Sequence, residues 1–317
     1  MRPGDRALAK QIDDSLREFD LKKRPLVGIK DAAYRASLVE QIVESERRIR
    51  FITRLRGLKD INQQVADPGS ELFDPFRAAL LMHRSGMIDE ASWLVFLSVH
   101  FGKPKQTGWR LVRDVYGQLG AGVNWDWERT SKDVQSFLIW LAAHLHTLKG
   151  ADGVKRRFGN HRKYQSLHPY SPSGTGAAFG SYINWVGPAR KHQVFFQQVS
   201  NAAGGDPRKM FSDLYESMSA VSSFGRTAKF DYLTMVGKLG LLPIEPGTTY
   251  MQGATGPLLG ARLLFAGNKN ANLSHNTLEL WLIELEADLH LYFGMQILED
   301  ALCNWQKSPG VFRPFRG

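Results

Sequence analysis

The segment LYESMSAVSSFGRTAKFDYLTMVGKLGLL, residues 214–242, determines how the rest of the chain is interpreted. Its first part has the apolar spacing of an amphipathic helix, and a second helix is predicted to begin at Arg226, directly after SSFG. Phe224 supplies an apolar anchor, Gly225 permits a tight turn, and Ala228 is small enough for two helices to pack closely. The sequence therefore predicts two helices joined by a short hairpin.

This pattern resembles the helix–hairpin–helix of DNA base-excision glycosylases. Such a hairpin presents backbone N–H groups at a helix N-terminus, and these groups bind a DNA phosphate without reading the base. The DNA-binding residues predicted here are Ser223, Gly225, Arg226 and Lys229. Ser223 stands where the glycosylases have their first hairpin glycine, and Thr227 stands where bifunctional members have the Schiff-base lysine. A lyase activity is therefore not supported.

An acidic residue follows the hairpin. In the glycosylase superfamily an essential carboxylate lies about twenty positions after the hairpin glycine. Glu245, in LGLLPIEPG, lies twenty residues after Gly225. Glu245 is therefore the first candidate for a catalytic carboxylate.

The segment KRRFGNHRKYQ, residues 155–165, is the strongest basic cluster. Residues 150–200 carry seven Lys or Arg against one acidic residue, and residues 1–60 carry an excess of +5, while the remainder nearly balances. The whole chain has a net charge of +10. A basic stripe of this kind is typical of polyphosphate or nucleic-acid binding, and a solvated surface is the alternative.

The remaining chain reads as helical almost throughout, with few alternating Val, Ile and Thr runs. We therefore predict an all-α, DNA-glycosylase-like helical fold. A turn-rich linker, ADPGSELFDPF, lies at residues 66–76. It divides a basic helical N-terminal extension, residues 1–66, from a helical catalytic domain, residues 67–317.

The composition and the absence of certain motifs argue against several classes of protein. Hydrophobic residues make up 43 % of 317 residues, too many for a disordered chain, and the single cysteine excludes an internal disulfide. No apolar run reaches the ~20 residues of a membrane span, and no signal region precedes the first helix. HExxH and GxxxxGK[ST] are absent, so zinc chemistry and ATP use are not predicted. We expect a soluble cytoplasmic protein, in the host cytoplasm if a phage encodes it.

Six segments carry a more specific resemblance: DEASWLVFLSVHFGK (89–103), FGNHRKYQSL (158–167), GSYINWV (180–186), FGRTAKFDYLTMVGKLG (224–240), GATGPLLGARLLFAG (253–267) and MQILEDALCNWQK (295–307). In this order they resemble the α-glutamyl/putrescinyl thymine pyrophosphorylase family, most closely its third clade. The resemblance covers about residues 70–310 and leaves residues 1–66 outside.

The resemblance implies a role in the thymine hypermodification of bacteriophages. A separate kinase pyrophosphorylates 5-hydroxymethyluracil in DNA, and the enzyme then displaces pyrophosphate with an amine, an amino acid or putrescine. The implied partners are double-stranded DNA that carries 5-pyrophosphoryloxymethyluracil, the amine donor and the pathway's DNA kinase. A membrane partner is not implied.

The reaction requires an anion site, because charge builds up on the pyrophosphate oxygens as the bond breaks and cations stabilise that charge selectively. The candidates are His161, Arg162, Lys163, Arg190, Lys191 and Arg262. Each could instead contact only the DNA backbone, the role predicted for Arg156 and Arg157. Mg²⁺ on the pyrophosphate is compatible with this chemistry, but no carboxylate cluster requires a metal.

The incoming ammonium requires a base. Glu245 is the first candidate and Asp231 the alternative. Glu299 is a further candidate, because positions 296, 299, 303 and 307 share one face of the closing helix. That polar face is either the wall of a site or a solvated surface. Cys303 completes the catalytic candidates, although such a thiol is more often inert and buried.

The pyrimidine must leave the base stack to react, and it then requires a pocket. The candidates for this pocket are Tyr164, Tyr182, Trp185, Tyr232, Gln296 and Trp305. Aromatic side chains more often fill a core, so this alternative stays open for each.

Two other functions remain possible on the sequence alone. The first is a monofunctional DNA glycosylase, in which Glu245 would assist cleavage of the glycosidic bond. The second is a helical DNA-binding protein without catalysis. The basic segment 155–165 favours the transferase, since a plain glycosylase has no use for a second anion site.

Overall fold

A computed structural model describes residues 2–162 and 165–314, and within these residues the secondary structure is helical, without a β-strand. The predicted all-α fold is confirmed. The helices are α1 (Arg6–Lys22), α2 (Ala32–Arg56), α3 (Pro75–Arg84), α4 (Ile88–Phe101), α5 (Arg110–Tyr116), α6 (Trp127–Lys132), α7 (Val134–His146), α8 (Thr175–Val186), α9 (His192–Ala202), α10 (Pro207–Ser217), α11 (Arg226–Leu239), α12 (Thr255–Ala266), α13 (His275–Leu289) and α14 (Gly294–Trp305). None of the described helices is both long and apolar enough to traverse a lipid bilayer.

Local signals place most helix ends. Asp74 accepts hydrogen bonds from the backbone N–H groups of Phe76 and Arg77 and so caps α3, whose first residue is Pro75. Gly86, with a φ of +76°, lies between α3 and α4. Asp133 ends α6, and its side chain accepts a hydrogen bond from the backbone N–H of Ser136 and so caps α7.

The chain forms two compact units, and the division differs from the predicted boundary at residue 66. One unit combines the chain up to Thr53 with the chain from Glu245 onward, and the other spans Arg54–Ile244. The reason lies in the apolar stripe of α1. Ile12, Leu16 and Phe19 are fully buried there, in one core with side chains of α12, α13 and α14.

Glycines allow the close backbone contacts of the first unit. A Cβ atom on Gly28 would lie 2.0 Å from the carbonyl oxygen of Leu263 in α12. A Cβ atom on Gly260 would lie 2.3 Å from the carbonyl oxygen of Leu302, so α12 and α14 also pack backbone against backbone. Larger residues cannot occupy these positions without moving a helix.

The second unit is built around α4, whose residues from Ala91 onward are all buried. Rings from other elements pack against it. Phe96 of α4 stacks on Tyr182 of α8, with ring centroids 3.9 Å apart, and on Phe224 of the hairpin, at 5.0 Å. The hairpin predicted from the sequence is therefore anchored to the core through Phe224, as its apolar character indicated.

We expect Gly28→Ala to lower the free energy of unfolding by about 2 kcal/mol or more, since the new methyl group meets the backbone of α12 rather than a side chain that can rotate away. Urea unfolding measures the change. Gly4→Ala is the matched control, because a Cβ atom there has no neighbour within 4 Å. Equal midpoints for the two variants would contradict the close contact.

Candidate functional site

The predicted hairpin joins α10 to α11 through residues 218–225. Val221 and Phe224 are buried, and Ser223 has a φ of +65°, in the left-handed region that glycine adopts most easily. The Ser223 hydroxyl donates to the carbonyl oxygen of Ser173 over 2.8 Å. Ser223 thus holds a backbone conformation suited to the glycine that it replaces in the resembling motif.

An exposed glycine directly precedes the first residue of α11. Gly225 occupies the N-cap position without a side-chain cap, and a Cβ atom there would have open space around it. The first N–H groups of a helix lack partners within the helix. The Lys229 ammonium lies 4.1 Å from the Tyr215 ring centroid, and the Arg226 guanidinium lies 5.5 Å from that of Phe230.

The start of the basic loop, residues 155–165, is fixed to the C-terminal end of α4. The backbone N–H of Gly159 donates to the carbonyl oxygen of Phe101 over 2.8 Å. Gly102 has a φ of +72°, and a Cβ atom on it would lie 2.9 Å from the Cα atom of Gly159. Two glycines are therefore required where these backbones touch.

The segment after the basic loop is fixed by a buried histidine. His100 Nε2 lies 3.0 Å from the Thr175 hydroxyl oxygen, and that hydroxyl donates to the carbonyl oxygen of Ser166 over 2.9 Å. Because the single hydroxyl hydrogen is used in this way, His100 Nε2 must carry the proton. Burial lowers the pKa of His100 to about 3, with a smaller contribution from the charge of Arg162.

The structure brings the basic loop and the hairpin together. The Gln165 side-chain amide donates to the carbonyl oxygen of Ser223 over 3.2 Å, and the hydroxyl of Ser223 reaches Ser173 on the segment that follows the loop. The backbone N–H of Ser222 also donates to the Ser181 hydroxyl of α8 over 2.8 Å. The basic loop and the hairpin, which are distant in sequence, therefore form one surface.

Arg162 connects the loop to α4 and α11. Its Nε donates to the carbonyl oxygen of Val99 over 2.8 Å, and its Nη2 lies 3.1 Å from the Asp231 carboxylate. The side chain is only 7 % exposed. Burial lowers the pKa of Arg162, and the charge of Asp231 opposes this effect. Arg162 was predicted to bind pyrophosphate, but its guanidinium is directed to protein acceptors, so we reassign it to positioning.

Asp231 is the candidate carboxylate that lies at this junction. Burial raises the pKa of Asp231, while the charges of Arg162, His161, Lys238 and Arg226 lower it; burial has the larger effect. Its side chain is nevertheless 45 % exposed. Water therefore reaches this carboxylate, although many protein atoms surround it.

Comparison with protein-family models gives one match over almost the whole chain. Residues 33–317 match the model described as alpha-glutamyl/putrescinyl thymine pyrophosphorylase clade 3. The chain belongs to this family. The match begins within α2, so it takes in residues 33–66, which the sequence analysis had left outside the resemblance. No curated protein and no solved structure matches the chain.

The name of the thymine pyrophosphorylase family indicates an enzyme of thymine hypermodification whose chemistry involves pyrophosphate. The roles of single residues do not follow from that name. Each residue that the resemblance had suggested is therefore considered by its own surroundings. Lys163 and Tyr164 lie outside the described residues.

The basic residues predicted to bind phosphate groups differ in their exposure to solvent. His161 and Arg157 are exposed, as a phosphate ligand requires. Arg156 is not, because its side chain is 4 % exposed and its guanidinium binds the carboxylates of Asp114 and Asp152. A DNA contact through Arg156 would break both ion pairs, so the predicted DNA-binding role is replaced by a structural one.

Arg190 and Lys191 lie at another place on the second unit. The Arg190 guanidinium donates to the carbonyl oxygen of Lys132 over 3.2 Å, and the Lys191 ammonium lies 3.3 Å from the Asp89 carboxylate. The described contacts of both residues do not include the basic loop. We therefore do not group them with His161 in the candidate anion site.

The aromatic residues proposed for the base pocket fill cores instead. Tyr182 and Tyr232 are fully buried, with their hydroxyl oxygens 2.8 Å apart, and Tyr182 also lies 2.7 Å from His192 Nε2. The Trp185 indole N–H donates to the Ser217 hydroxyl, and that of Trp305 donates to the carbonyl oxygen of Tyr34. A ring that is enclosed by protein cannot stack on a flipped base, so these assignments are corrected.

The other candidates belong to the first unit, which contains Glu245, Glu299, Cys303, Gln296 and Arg262. Glu245 and Glu299 are half-buried, Gln296 has a buried side-chain oxygen, and Cys303 Sγ packs against Gly256. Arg262 directs Nε and Nη2 to the carbonyl oxygen of Leu273, at 3.1 and 3.0 Å. Lys307, the fourth predicted position of the polar face, lies beyond the end of α14.

Sequence reasoning did not identify His100, Thr175 or Ser173, which hold the loop in place. The available signal was weak. His100 stands in an apolar run, directly before Phe101 and Gly102, where a polar residue needs a buried partner. Its partner, 75 positions later, could not be identified without the fold.

We expect Arg162→Ala to lower the free energy of unfolding by about 3 kcal/mol, because it leaves the Val99 carbonyl and the Asp231 carboxylate without their shared donor. Arg157→Ala, in the same loop, removes an exposed guanidinium and should change stability by less than about 0.5 kcal/mol. Chemical denaturation compares the two. Similar small losses would contradict the positioning role of Arg162.

A second prediction concerns acid stability. The pKa of His100 is about 3 in the folded chain and near its ordinary value of 6.5 in the unfolded chain. Between these values the unfolded chain binds more protons, so the stability that neutral His100 provides is present above pH 6.5 and is lost as pH falls. His100→Gln should therefore cost less at pH 5 than at pH 7.5, by about 1–2 kcal/mol.

Urea titrations at both pH values test this expectation. His146→Gln is the control, since His146 is exposed at the end of α7. A loss for His100→Gln that is the same at both pH values would show that protonation of His100 is not linked to folding.

Proposed function

We propose that this chain transfers an amine to DNA: it displaces pyrophosphate from 5-pyrophosphoryloxymethyluracil with an amino acid or a polyamine. The product is an N-substituted 5-aminomethyluracil that remains in the DNA. The proposal gives a specific reaction to the pyrophosphate chemistry of the family to which the chain belongs. In this proposal the substrate is double-stranded phage DNA, and a separate kinase supplies the pyrophosphorylated base. The reaction takes place in the host cytoplasm.

The observation that carries the proposal is the junction of hairpin and basic loop. The contacts Gln165–Ser223 and Ser223–Ser173 place a candidate phosphate-binding helix start beside a cationic segment. Hydrolysis of a glycosidic bond in DNA requires only the phosphate-binding helix start. Transfer from a pyrophosphorylated base requires both, because the DNA backbone and the leaving group each carry negative charge.

In this proposal the exposed His161 and Arg157 receive the leaving pyrophosphate. As the bond between the methylene carbon and the ester oxygen breaks, its electron pair passes to the pyrophosphate oxygen. Cations placed beside that oxygen stabilise the transition state more than the ground state. Arg162 does not touch the anion; it fixes the loop that carries these residues.

Asp231 is the general base of the proposal. The amine donor arrives as an ammonium ion, and its nitrogen can attack only after one proton leaves. Asp231 accepts that proton, and the nitrogen lone pair then forms the bond to the methylene carbon. Burial raises the pKa of Asp231, which makes its carboxylate a better proton acceptor. Glu245 and Glu299 are the alternatives from the first unit.

We expect Asp231→Asn to reduce transfer by about 100-fold or more and to change DNA affinity by less than about 2-fold. The assay is nucleoside mass spectrometry after incubation of pyrophosphorylated DNA with a pool of amino acids and polyamines. Wild-type activity should rise with pH through the raised pKa of Asp231, because only the carboxylate accepts a proton.

The matched variants are Glu245→Gln and Glu299→Gln, which replace carboxylates of the other unit by their amides. If either of them abolishes transfer while Asp231→Asn remains active, the base belongs to the first unit. Free base or abasic sites in place of an amine adduct would replace the transferase with a glycosylase. DNA binding without any new product would replace it with a binding protein.

A further inference from the structure

The 102–109 loop, GKPKQTGW, lies directly beside the basic loop. A Cβ atom on Gly159 would lie 3.0 Å from the Cα atom of Gly102 and 3.1 Å from the backbone nitrogen of Lys103. The two backbones are therefore in contact, and the hydrogen bond from Gly159 to Phe101 fixes this contact. Lys103 therefore lies at the point where the basic loop contacts the end of α4.

This loop carries two lysines that are both accessible to solvent. Lys103 and Lys105 are exposed, whereas Pro104 between them is buried. One residue separates the two lysines, so their Cα atoms lie within about 7 Å of each other. The Lys103 ammonium lies 5.1 Å from the ring centroid of Trp109, at the far end of the loop. The loop contains no acidic residue.

These cations differ from the exposed lysines that are paired on helices. Within the part of the chain that the structure describes, Lys103, Lys105 and Arg157 form no ion pair. Several exposed lysines on helices, by contrast, bind a carboxylate one helical turn away, as in Lys10–Asp14, Lys22–Glu18 and Lys209–Asp213. Unpaired cations that lie close together repel one another, and a polyanion relieves that repulsion.

We propose that the 102–109 loop is a second DNA-backbone contact, in which Lys103 and Lys105 each bind a phosphodiester group. The 102–109 loop would enlarge the DNA-binding surface beyond the hairpin and the basic loop. The inference rests on the proposed function only in taking DNA as the substrate. The occupant is the phosphodiester backbone and not the pyrophosphate leaving group, because the proposed function already assigns that group to the exposed His161 and Arg157 of the basic loop.

The test compares two double variants of equal charge loss. Lys103→Ala with Lys105→Ala removes the proposed contacts, and Lys10→Ala with Lys22→Ala removes two exposed lysines that are paired on α1. The affinity of each for an unmodified, fluorescently labelled DNA duplex is measured by anisotropy at several salt concentrations. Each lost phosphate contact lowers the salt slope by about 0.9.

We expect the first double variant to lower the slope by about 2 and to bind DNA at least about 10-fold more weakly, while the second leaves the slope unchanged within about 0.5. Inhibition of transfer by inorganic pyrophosphate should stay within about 2-fold of wild type. Equal slopes for both double variants, or weaker inhibition by pyrophosphate with normal DNA binding, would overturn the proposal. A wild-type chain that binds DNA with these slopes but transfers no amine would refute only the proposed function.

Discussion

The guanidinium of Arg162 connects the parts of the candidate site. It joins the end of α4, through Val99, to the carboxylate of Asp231 on α11, and it also donates to the carbonyl of its own neighbour His161. A buried cation is costly unless each of its donors finds an acceptor, so the three segments must meet in one arrangement. The exposed residues around it are therefore held on a fixed framework.

Local features of this arrangement could be predicted from the sequence. The break at Gly225, the apolar Phe224 and the start of α11 at Arg226 all follow from residues within one helical turn of each other. The helices and the all-α class follow from periodicity in the same way. Asp231 was among the candidates because it lies in the same short segment.

The environment of a side chain could not be predicted where it depends on residues that are far away in the sequence. A tyrosine at a helical spacing looks the same whether it faces a ligand or another tyrosine, and Tyr182 meets Tyr232 across fifty positions. Arginines differ in the same way. Arg156 and Arg157 are neighbours in sequence, yet one lies between two carboxylates and the other faces solvent. Composition counts both as positive charge, and only the fold separates them.

The first unit is assembled from both ends of the chain. Its helices α1 and α2 leave the ribosome before their packing partners α12, α13 and α14, which follow residues 54–244. At ordinary rates of synthesis this delay is about 10–40 s. During that interval the apolar stripe of Ile12, Leu16 and Phe19 lacks its native partners on α12, α13 and α14, and the charged opposite face of α1 keeps the nascent segment in water.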